Sequence, residues 1–394
     1  MSDPKISVGN NYRLIKRIGK GSFGEVFLVS DKEGNKYACK AENNSSKNRL
    51  RGESYIYKRF ASKNLECVPT FHKYFETPEY NLLIMQLLGK SLDCIFEDCN
   101  NNIDVGTVMK IGITIISHLE KIHRIGIIHR DIKPNNFMFG MDENESDLYV
   151  MDFGLSKKWC VNRDHIEFKT NRSMIGTARY ASLNIHLGTE PSRRDDMESV
   201  GYMLVYLIKG SLPWQGLKKK TKENPMDKIG EKKMMVNLKT LCEGLPECFY
   251  DYINYTRNLQ FTEKPDYEYL RDLFISSAKT NNIKIKYFWE PDDSEIEECD
   301  KNNIIDAKKT QRTQPKTNVK RSKGKISKSV KDMSKSRSSD KDIKKKQMVR
   351  KKNITMSSPK TKPSNKSDSD RIEAKPKPET RVTRKNKHRE DQDS

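Results

Sequence analysis

Long hydrophobic runs are missing from this chain of 394 residues. Its longest apolar stretches, 82–88 and 111–116, are short or interrupted, whereas a helix that spans a bilayer needs roughly 18–20 apolar residues. No two of the eight cysteines form a C-x-x-C pair, which argues against a zinc site or a disulfide framework. Residue 2 is not the glycine that myristoylation requires, and no prenylation box ends the chain. We therefore expect a protein of a reduced compartment, the cytoplasm and/or the nucleus, without a membrane partner.

Aromatic residues and leucine are absent from residues 301–394. This stretch holds 31 basic and 11 acidic side chains, while residues 1–300 hold 44 and 43, so almost all of the net charge of +21 lies near the C-terminus. A segment without large apolar side chains cannot bury enough surface to offset the entropy lost on ordering. The composition therefore predicts a disordered basic tail over 295–394, attached to a nearly neutral body.

The hydrophobic pattern of the body changes at about residue 88. Before this point the pattern predicts strands and one helix, the strands at 12–18, 24–30, 36–40, 69–76 and 81–87 and the helix at 48–60. After it the pattern predicts mostly helices, at 105–125, 196–209, 231–242, 246–258 and 266–278, with short strands at 127–129, 137–139 and 148–151. We predict an α+β fold of two lobes, with a β-rich N-lobe over 12–88, a larger helical C-lobe over 89–294 and an N-terminal extension over 1–11.

A glycine-rich run lies between the first two predicted strands. Residues 19–26 fit the spacing G-x-G-x-x-G-x-V. In dinucleotide-binding folds such glycines stand between a strand and a helix, whereas here a strand follows. A strand–loop–strand order is typical of a flap over nucleotide phosphates, although an ordinary hairpin has the same order.

Lys40 on the next strand and Glu53 on the predicted helix form a candidate ion pair. A lysine that points inward from a strand needs an anionic partner, and the pair would hold the ammonium against phosphates. Glu42 is a competing partner close to Lys40 in the sequence.

Two further motifs carry chemistry. Residues 129–136 fit H-R-D-x-x-x-x-N without a mismatch, which makes Asp131 the candidate proton acceptor, Lys133 the cation beside the transferring phosphoryl group and Asn136 an oxygen ligand for Mg²⁺. Asp152-Phe153-Gly154 follows an apolar strand. Its aspartate is the principal candidate Mg²⁺ ligand, and we expect Phe153 to pack inside.

The four elements occur in an order and at spacings that resemble the eukaryotic protein kinase signature set. No Ala-Pro-Glu follows, and the blocks at 176–184, 192–202, 210–216 and 264–270 resemble the casein kinase I family over about residues 10–290. The resemblance implies a bilobal protein kinase fold and a monomeric enzyme. It also implies transfer of the ATP γ-phosphoryl group, with Mg²⁺, to Ser/Thr of protein substrates that carry acidic or previously phosphorylated residues. A catalytically silent scaffold that binds partners or nucleic acid through its tail is the alternative.

The same resemblance assigns roles to individual positions. It places Met85 at the gatekeeper position, gives Gln86 and Leu88 backbone contacts to adenine, and gives Asp196 the role of capping the catalytic loop. The expected ATP-binding residues are Ile18, Gly19, Lys20, Gly21, Ser22, Phe23, Gly24, Val26, Ala38, Lys40, Glu53, Met85, Gln86, Leu88, Met138 and Met151. Among these, Ile18, Val26, Ala38, Met138 and Met151 are expected to sandwich the adenine.

An acidic or phosphorylated substrate requires a cationic groove. The candidates for this anion pocket are Arg179, Arg172, Lys169, Lys222 and the backbone at Gly216. The family resemblance implies a basic residue near position 225, where this chain has Pro225. Primed-substrate recognition is then either weakened or restored by Lys222.

The tail admits three interpretations. Basic clusters at 344–346, 350–352 and 384–387 suit nuclear import or sequence-blind contact with nucleic acid. Serine pairs such as Ser336/Ser339 and Ser364/Ser367 suit autoregulation, and a solvated linker is the third interpretation.

Overall fold

The computed structural model describes residues 8, 11–21, 24–44, 49–217 and 225–290. The predicted basic tail, the glycine-loop residues Ser22 and Phe23, and the anion-pocket candidate Lys222 lie outside the described residues. Within the described part, no helix combines the length and the apolar character needed to cross a membrane.

The N-terminal lobe is an antiparallel sheet of five strands with one helix, α1 (Arg49–Ala61). Its strands, in sheet order, are β1 (Arg13–Gly21), β2 (Gly24–Ser30), β3 (Lys36–Asn43), β5 (Tyr80–Gln86) and β4 (Phe71–Glu76). Gly34 has a φ of 90° in the turn between β2 and β3, a conformation that glycine adopts without strain.

The register of this sheet sorts its side chains onto two faces. Val26 lies opposite Lys40, which lies opposite Leu83. Ala38 lies opposite Met85, so these five residues share one face because side chains two apart on a strand point the same way. The other face carries a separate apolar cluster built mainly from Phe27, Val29, Cys39, Ala41, Leu82 and Ile84.

The C-terminal lobe is mainly helical. In the described residues its helices are α2 (Leu92–Asp98), α3 (Val105–Arg124), α4 (Leu183–His186), α5 (Arg193–Lys209), α6 (Pro225–Met235), α7 (Leu238–Leu241), α8 (Glu247–Asn258) and α9 (Tyr267–Thr280). Three short strand pairs accompany them, namely β6 (Ile127–Ile128) with β9 (Lys157–Lys158), β7 (Phe137–Phe139) with β8 (Leu148–Val150), and β10 (Cys160–Val161) with β11 (Asp164–His165). The two-lobe arrangement expected from the sequence is therefore confirmed.

Helix α3 shows why the long helices form where they do. Asp104 caps its first turn by accepting a hydrogen bond of 2.9 Å from the amide of Thr107, which satisfies one of the free amides at the helix start. Its apolar side chains are buried at helical spacing, and its last turn carries basic residues that suit the negative end of the helix dipole.

The predicted helix at 231–242 is wrong as one element. The structure has α6 and α7 instead, and Asn237 begins α7 by accepting a hydrogen bond from the amide of Lys239. Helix α5 begins at Arg193, three residues before the predicted start, and the short helices α2 and α4 were not predicted.

The link between the lobes is fixed to the C-lobe by backbone hydrogen bonds. The amide of Gly89 donates to the carbonyl of Phe139 (2.8 Å), and the amide of Phe139 donates to the carbonyl of Lys90 (2.9 Å). Strand β7, which follows the catalytic loop, is thereby bonded to the link between the lobes.

Candidate active site

The catalytic loop leaves β6 in an unusual backbone conformation that α5 supports from below. Arg130 has a φ of 70°, which is sparsely populated for residues other than glycine. The carboxylate of Asp196 on α5 accepts the amide protons of His129 (2.7 Å) and Arg130 (2.8 Å), so the strained residue is held on both sides. The capping role expected for Asp196 is confirmed by these contacts.

His123 holds Asp196 from the other side. Its Nε2 lies 2.9 Å from Asp196 Oδ2 and its Nδ1 lies 2.8 Å from the hydroxyl of Tyr267. Burial would raise the pKa of Asp196, but the hydrogen bonds and charge of its partners keep that pKa below the ordinary value. The buried carboxylate is therefore a satisfied anion.

Asp131 is buried with both carboxylate oxygens engaged. Lys133 Nζ donates to Oδ2 at 2.6 Å and Thr177 Oγ1 donates to Oδ1 at 2.7 Å. The side chain is 6 % exposed, so the two bonds fix its orientation in a site that solvent barely reaches. Thr177 was not predicted as a functional residue, although it lies in the 176–184 block that carried the family resemblance.

His129 joins the catalytic loop to the strand that leads to Asp152. Its Nδ1 accepts the amide proton of Asp131 (3.2 Å), and its Nε2 donates to the carbonyl of Met151 (2.8 Å). An amide can only donate and a carbonyl can only accept, so the network assigns the Nε2-protonated tautomer.

Lys40 bridges the two lobes. Its Nζ donates to Glu53 Oε2 (2.7 Å) and to Asp152 Oδ1 (2.9 Å). Burial would lower the pKa of Lys40, but these two carboxylates raise it above its ordinary value. The competing Glu42 instead accepts the amide protons of Arg49 (3.2 Å) and Leu50 (3.0 Å) at the start of α1.

The Asp152-Phe153-Gly154 turn places its aspartate toward Lys40 and its phenylalanine inside. Asp152 has a φ of 58°, and Lys40 holds the pKa of its carboxyl below the ordinary value although burial would raise it. Phe153 is buried as expected, with ring centroids 4.6 Å from Phe60 and 5.5 Å from Tyr57.

Asn136 and Asp152 are the candidate oxygen ligands for a metal ion. The side-chain amide nitrogen of Asn136 donates to the carbonyl of Asp131 (2.7 Å). The atom of this side chain that could bind a metal ion is therefore its amide oxygen. The amide of Met151 donates to the carbonyl of Asn136 (2.8 Å), so the residue before Asp152 is bonded to Asn136. This donor set fits Mg²⁺, which commonly takes one or two protein oxygens together with waters and phosphates. Within the described residues, no group of three His, Cys, Asp or Glu side chains is arranged to hold a metal.

The predicted nucleotide residues fall on both sides of the cleft. Val26, Ala38, Lys40 and Met85 share the sheet face that packs toward α1 and the C-lobe. Met138 and Met151 are half-buried residues of the C-lobe, and Ile18 is 43 % exposed. These positions agree with a nucleotide cleft, and the adenine contacts themselves stay a prediction.

The glycines of the flap differ in whether the surrounding structure has room for a side chain. A Cβ at Gly24 would lie 2.1 Å from the carbonyl oxygen of Ala41, which the sheet does not allow. At Gly19 and Gly21 the nearest atoms would be 3.6 and 3.9 Å away, which are ordinary contacts. The fold therefore requires Gly24 but does not by itself require the other two.

A cavity of about 570 Å³ opens beside Lys133. Two of the predicted anion-pocket residues, Arg179 and Gly216, line it, and so does Lys228 on α6. The Arg179 guanidinium lies 5.0 Å from the ring centroid of Tyr206 and contacts its hydroxyl at 3.2 Å. These contacts with Tyr206 fix the orientation of the Arg179 guanidinium.

The structure does not bring Arg172 and Lys169 to this cavity. Arg172 pairs with the buried carboxylate of Glu190 (2.7 Å), which also binds Lys157 (2.6 Å). Lys169 is exposed and pairs with Glu167 at 3.3 Å. The assignment of Arg172 and Lys169 to the anion pocket therefore stays a prediction, and in this structure each of the two cations is paired with a carboxylate.

Comparison with known families agrees with this geometry. A family model described as a protein kinase domain matches residues 12–264, which is more than half of the chain and includes residues of both lobes, up to the loop before α9. It includes the glycine flap, Lys40, the catalytic loop and Asp152. With this match and the bilobal fold, the chain belongs to the protein kinase family.

Proposed function

We propose that the protein is a Ser/Thr kinase of the casein kinase I type that uses ATP and Mg²⁺ and prefers acidic or previously phosphorylated substrates. The observation that carries the proposal is the arrangement around Asp131. Its carboxylate is held between Lys133 and Thr177 at the edge of a cavity that also contains Arg179. A proton acceptor, a phosphate-neutralising cation and an anion-binding cation therefore lie around one opening.

In the proposed reaction the substrate hydroxyl oxygen forms a bond to the γ-phosphorus, the bond from that phosphorus to the β–γ bridging oxygen breaks, and ADP leaves. Asp131 orients the hydroxyl and accepts its proton. Lys133, now 2.6 Å from Asp131, neutralises charge on the transferring group. Lys40 holds the other phosphates from its position on Glu53.

When bound, Mg²⁺ would supply positive charge against the phosphate oxygens. Asn136 and Asp152 are the residues that would hold it, because their oxygens suit a hard cation and their backbones are joined through Met151. The space at Gly19 and Gly21 supports a flap whose backbone approaches the phosphates closely.

The substrate preference rests on the cavity beside Lys133. The family resemblance implies a basic residue near position 225, where this chain has proline. Lys228 lies three residues further along α6, hence on nearly the same side of the helix, and it lines the cavity with Arg179. We propose that Lys228 supplies the second positive charge there, in place of the earlier candidate Lys222.

An assay with labelled ATP and casein tests the proposal. We expect the wild type to phosphorylate casein on serine and threonine, and Lys40→Ala and Asp152→Ala to lose at least 100-fold in rate. Lys36→Ala is the matched control, because Lys36 is an exposed lysine on the same strand as Lys40. Nucleotide binding without turnover by the wild type would instead favour the scaffold alternative.

A further inference from the structure

Lys233 is a fully buried lysine on an otherwise exposed stretch of α6. Its neighbours in sequence, Lys232 and Met234, are exposed, whereas Lys233 is 0 % exposed. Burying an amine is costly unless its hydrogens find acceptors, and a non-polar side chain could fill the same volume without that cost. The hydrogen-bond acceptors of Lys233 therefore indicate the role of its buried amine.

The amine of Lys233 is bonded to the segment that carries Thr177 and Arg179. Its Nζ donates to the carbonyl of Ala178 at 2.8 Å and to the carbonyl of Ala181. The aromatic rings of Tyr202 and Trp214 also lie near this amine, each with its centroid 5.0 Å from Nζ. The side chain thus spans from α6 to both ends of a four-residue turn.

The carbonyl between these two has a partner as well. Trp214 Nε1 donates to the carbonyl of Arg179 at 2.7 Å. Three carbonyls of residues 178–181 are thus satisfied by side chains from α6 and from the turn at Trp214, and buried carbonyls require such partners. This anchoring lies where the sequence lacks the Ala-Pro-Glu block.

The titratable groups that surround Lys233 come from three helices. Burial lowers the pKa of Lys233 to about 7, with Glu198 on α5 acting in the opposite direction and Arg257 on α8 in the same direction. His186 on α4 also contacts the carbonyl of Ala178 at 3.2 Å. A neutral amine has two N–H donors and an ammonium has three, so either form of Lys233 can donate to both carbonyls.

We propose that Lys233 is a positioning residue for the protein substrate. By holding the carbonyls of Ala178 and Ala181, it keeps Thr177 against Asp131 and keeps Arg179 directed into the anion cavity. It touches neither substrate nor nucleotide. This inference rests on the proposed function, since it assumes that Asp131 orients the substrate and that the cavity binds substrate anions.

The test compares Lys233→Met, which keeps the length but removes the donors, with Lys232→Met on the exposed side of the same helix. Each full-length variant is titrated with ADP by calorimetry to count folded, nucleotide-competent sites, and its rates on an acidic serine peptide are divided by that count. For Lys233→Met we expect ADP affinity within twofold of the wild type, a peptide KM at least tenfold higher and a kcat about fivefold lower. Lys232→Met should remain within twofold in every quantity.

General destabilisation of the C-lobe would lower the number of competent sites but leave the peptide KM per site unchanged. A nucleotide-competent Lys233→Met with a peptide KM within twofold of the wild type therefore overturns the inference. If Lys233→Met binds no ADP, Lys233→Gln decides by the same criterion, since its amide still donates to one carbonyl. Failure of the wild type to phosphorylate acidic substrates would refute the proposed function instead, because the inference is scored only as a ratio to the wild type.

Discussion

Thr177 donates a hydrogen bond of 2.7 Å to Asp131 across 46 residues of sequence. The bond connects the candidate proton acceptor in the catalytic loop to the segment that lines the cavity beside Lys133. Because Lys133 occupies the other carboxylate oxygen, the orientation of Asp131 depends on two side chains, one from each segment. A movement of the segment around Thr177 would therefore change the orientation of the Asp131 carboxylate.

Thr177→Val removes this bond while it preserves the shape of the side chain. A hydrogen bond to a charged group contributes about 1.5–3 kcal/mol, so we expect kcat to fall by roughly 10- to 100-fold. The KM for ATP should stay near the wild-type value, because Thr177 does not line the nucleotide cleft. Thr177→Ser retains the hydroxyl and should recover most of the rate. Steady-state kinetics decide the matter, and equal kcat for the valine and serine variants would contradict the role of Thr177.

Contacts could be predicted from the sequence where the two residues lie on neighbouring elements or where a family motif assigns their roles. Glu53 could be paired with Lys40 because the helix that carries it follows the strand directly, and Asp196 could be placed beneath the catalytic loop by family resemblance. Thr177 could not be assigned, because its bond to Asp131 depends on how the chain folds back after β11 (ends at His165). The pairing of Arg172 with Glu190 could not be predicted for the same reason, since Glu190 is 18 residues away and is buried by tertiary packing.

Element boundaries failed where local capping decides them. The spacing of apolar residues predicts one helix over 231–242, because this spacing continues past Asn237. The side chain of Asn237 caps the start of α7, and the chain therefore forms two helices. The early start of α5 is set by Asp195, which accepts the amide proton of Ser192 at 2.7 Å. Helix α2 has seven residues, too few for a period to stand out.

The two kinds of flap glycine predict two kinds of defect. Gly24→Ala would force a Cβ to within 2.1 Å of the Ala41 carbonyl, so strands β2 and β3 must separate, at a cost of about 2 kcal/mol or more in the free energy of unfolding. Gly21→Ala meets nothing closer than 3.9 Å and should leave stability unchanged while it raises the KM for ATP severalfold. Urea unfolding and ATP titrations of both variants check this. Equal loss of stability in the two would show that the flap glycines serve only the fold.

Asp195 predicts an unusual dependence of stability on pH. Burial raises the pKa of Asp195 from 3.8 to about 7, although Ser182 and the amide of Ser192 bond to its carboxyl group. Between these pH values the folded state keeps a proton that the unfolded state has lost, so stability falls as pH rises. Asp195→Asn removes this titration, and its amide oxygen can still accept the hydrogen bond that Ser182 donates. Its stability relative to the wild type should therefore increase by about 2–4 kcal/mol from pH 4 to pH 7.

Asp196→Asn provides the contrast, because the pKa of Asp196 is lowered. The stabilisation that Asp196 contributes is complete above pH 3.8, its ordinary pKa, and is lost only as the pH falls further through the lower folded value. The deficit of Asp196→Asn should thus stay constant between pH 5 and pH 7. Urea titrations at several pH values measure both variants. A flat pH dependence for Asp195→Asn relative to the wild type would contradict a raised pKa of the buried Asp195 carboxyl group.

Arg179 predicts a selective loss on phosphorylated substrates. Its guanidinium lines the cavity beside Lys133 and is held by the Tyr206 ring, so Arg179→Ala should raise the KM of a primed peptide about tenfold or more and that of its unphosphorylated counterpart about twofold. Lys169→Ala is the control, because Lys169 is an exposed activation-segment cation outside the cavity. The preference of the wild type for the primed peptide should also weaken as salt is raised from 50 to 500 mM, since exposed charges are screened. An unchanged ratio of the two KM values in Arg179→Ala would remove the cavity from phosphate recognition, and the acidic preference would then have to arise elsewhere on the chain.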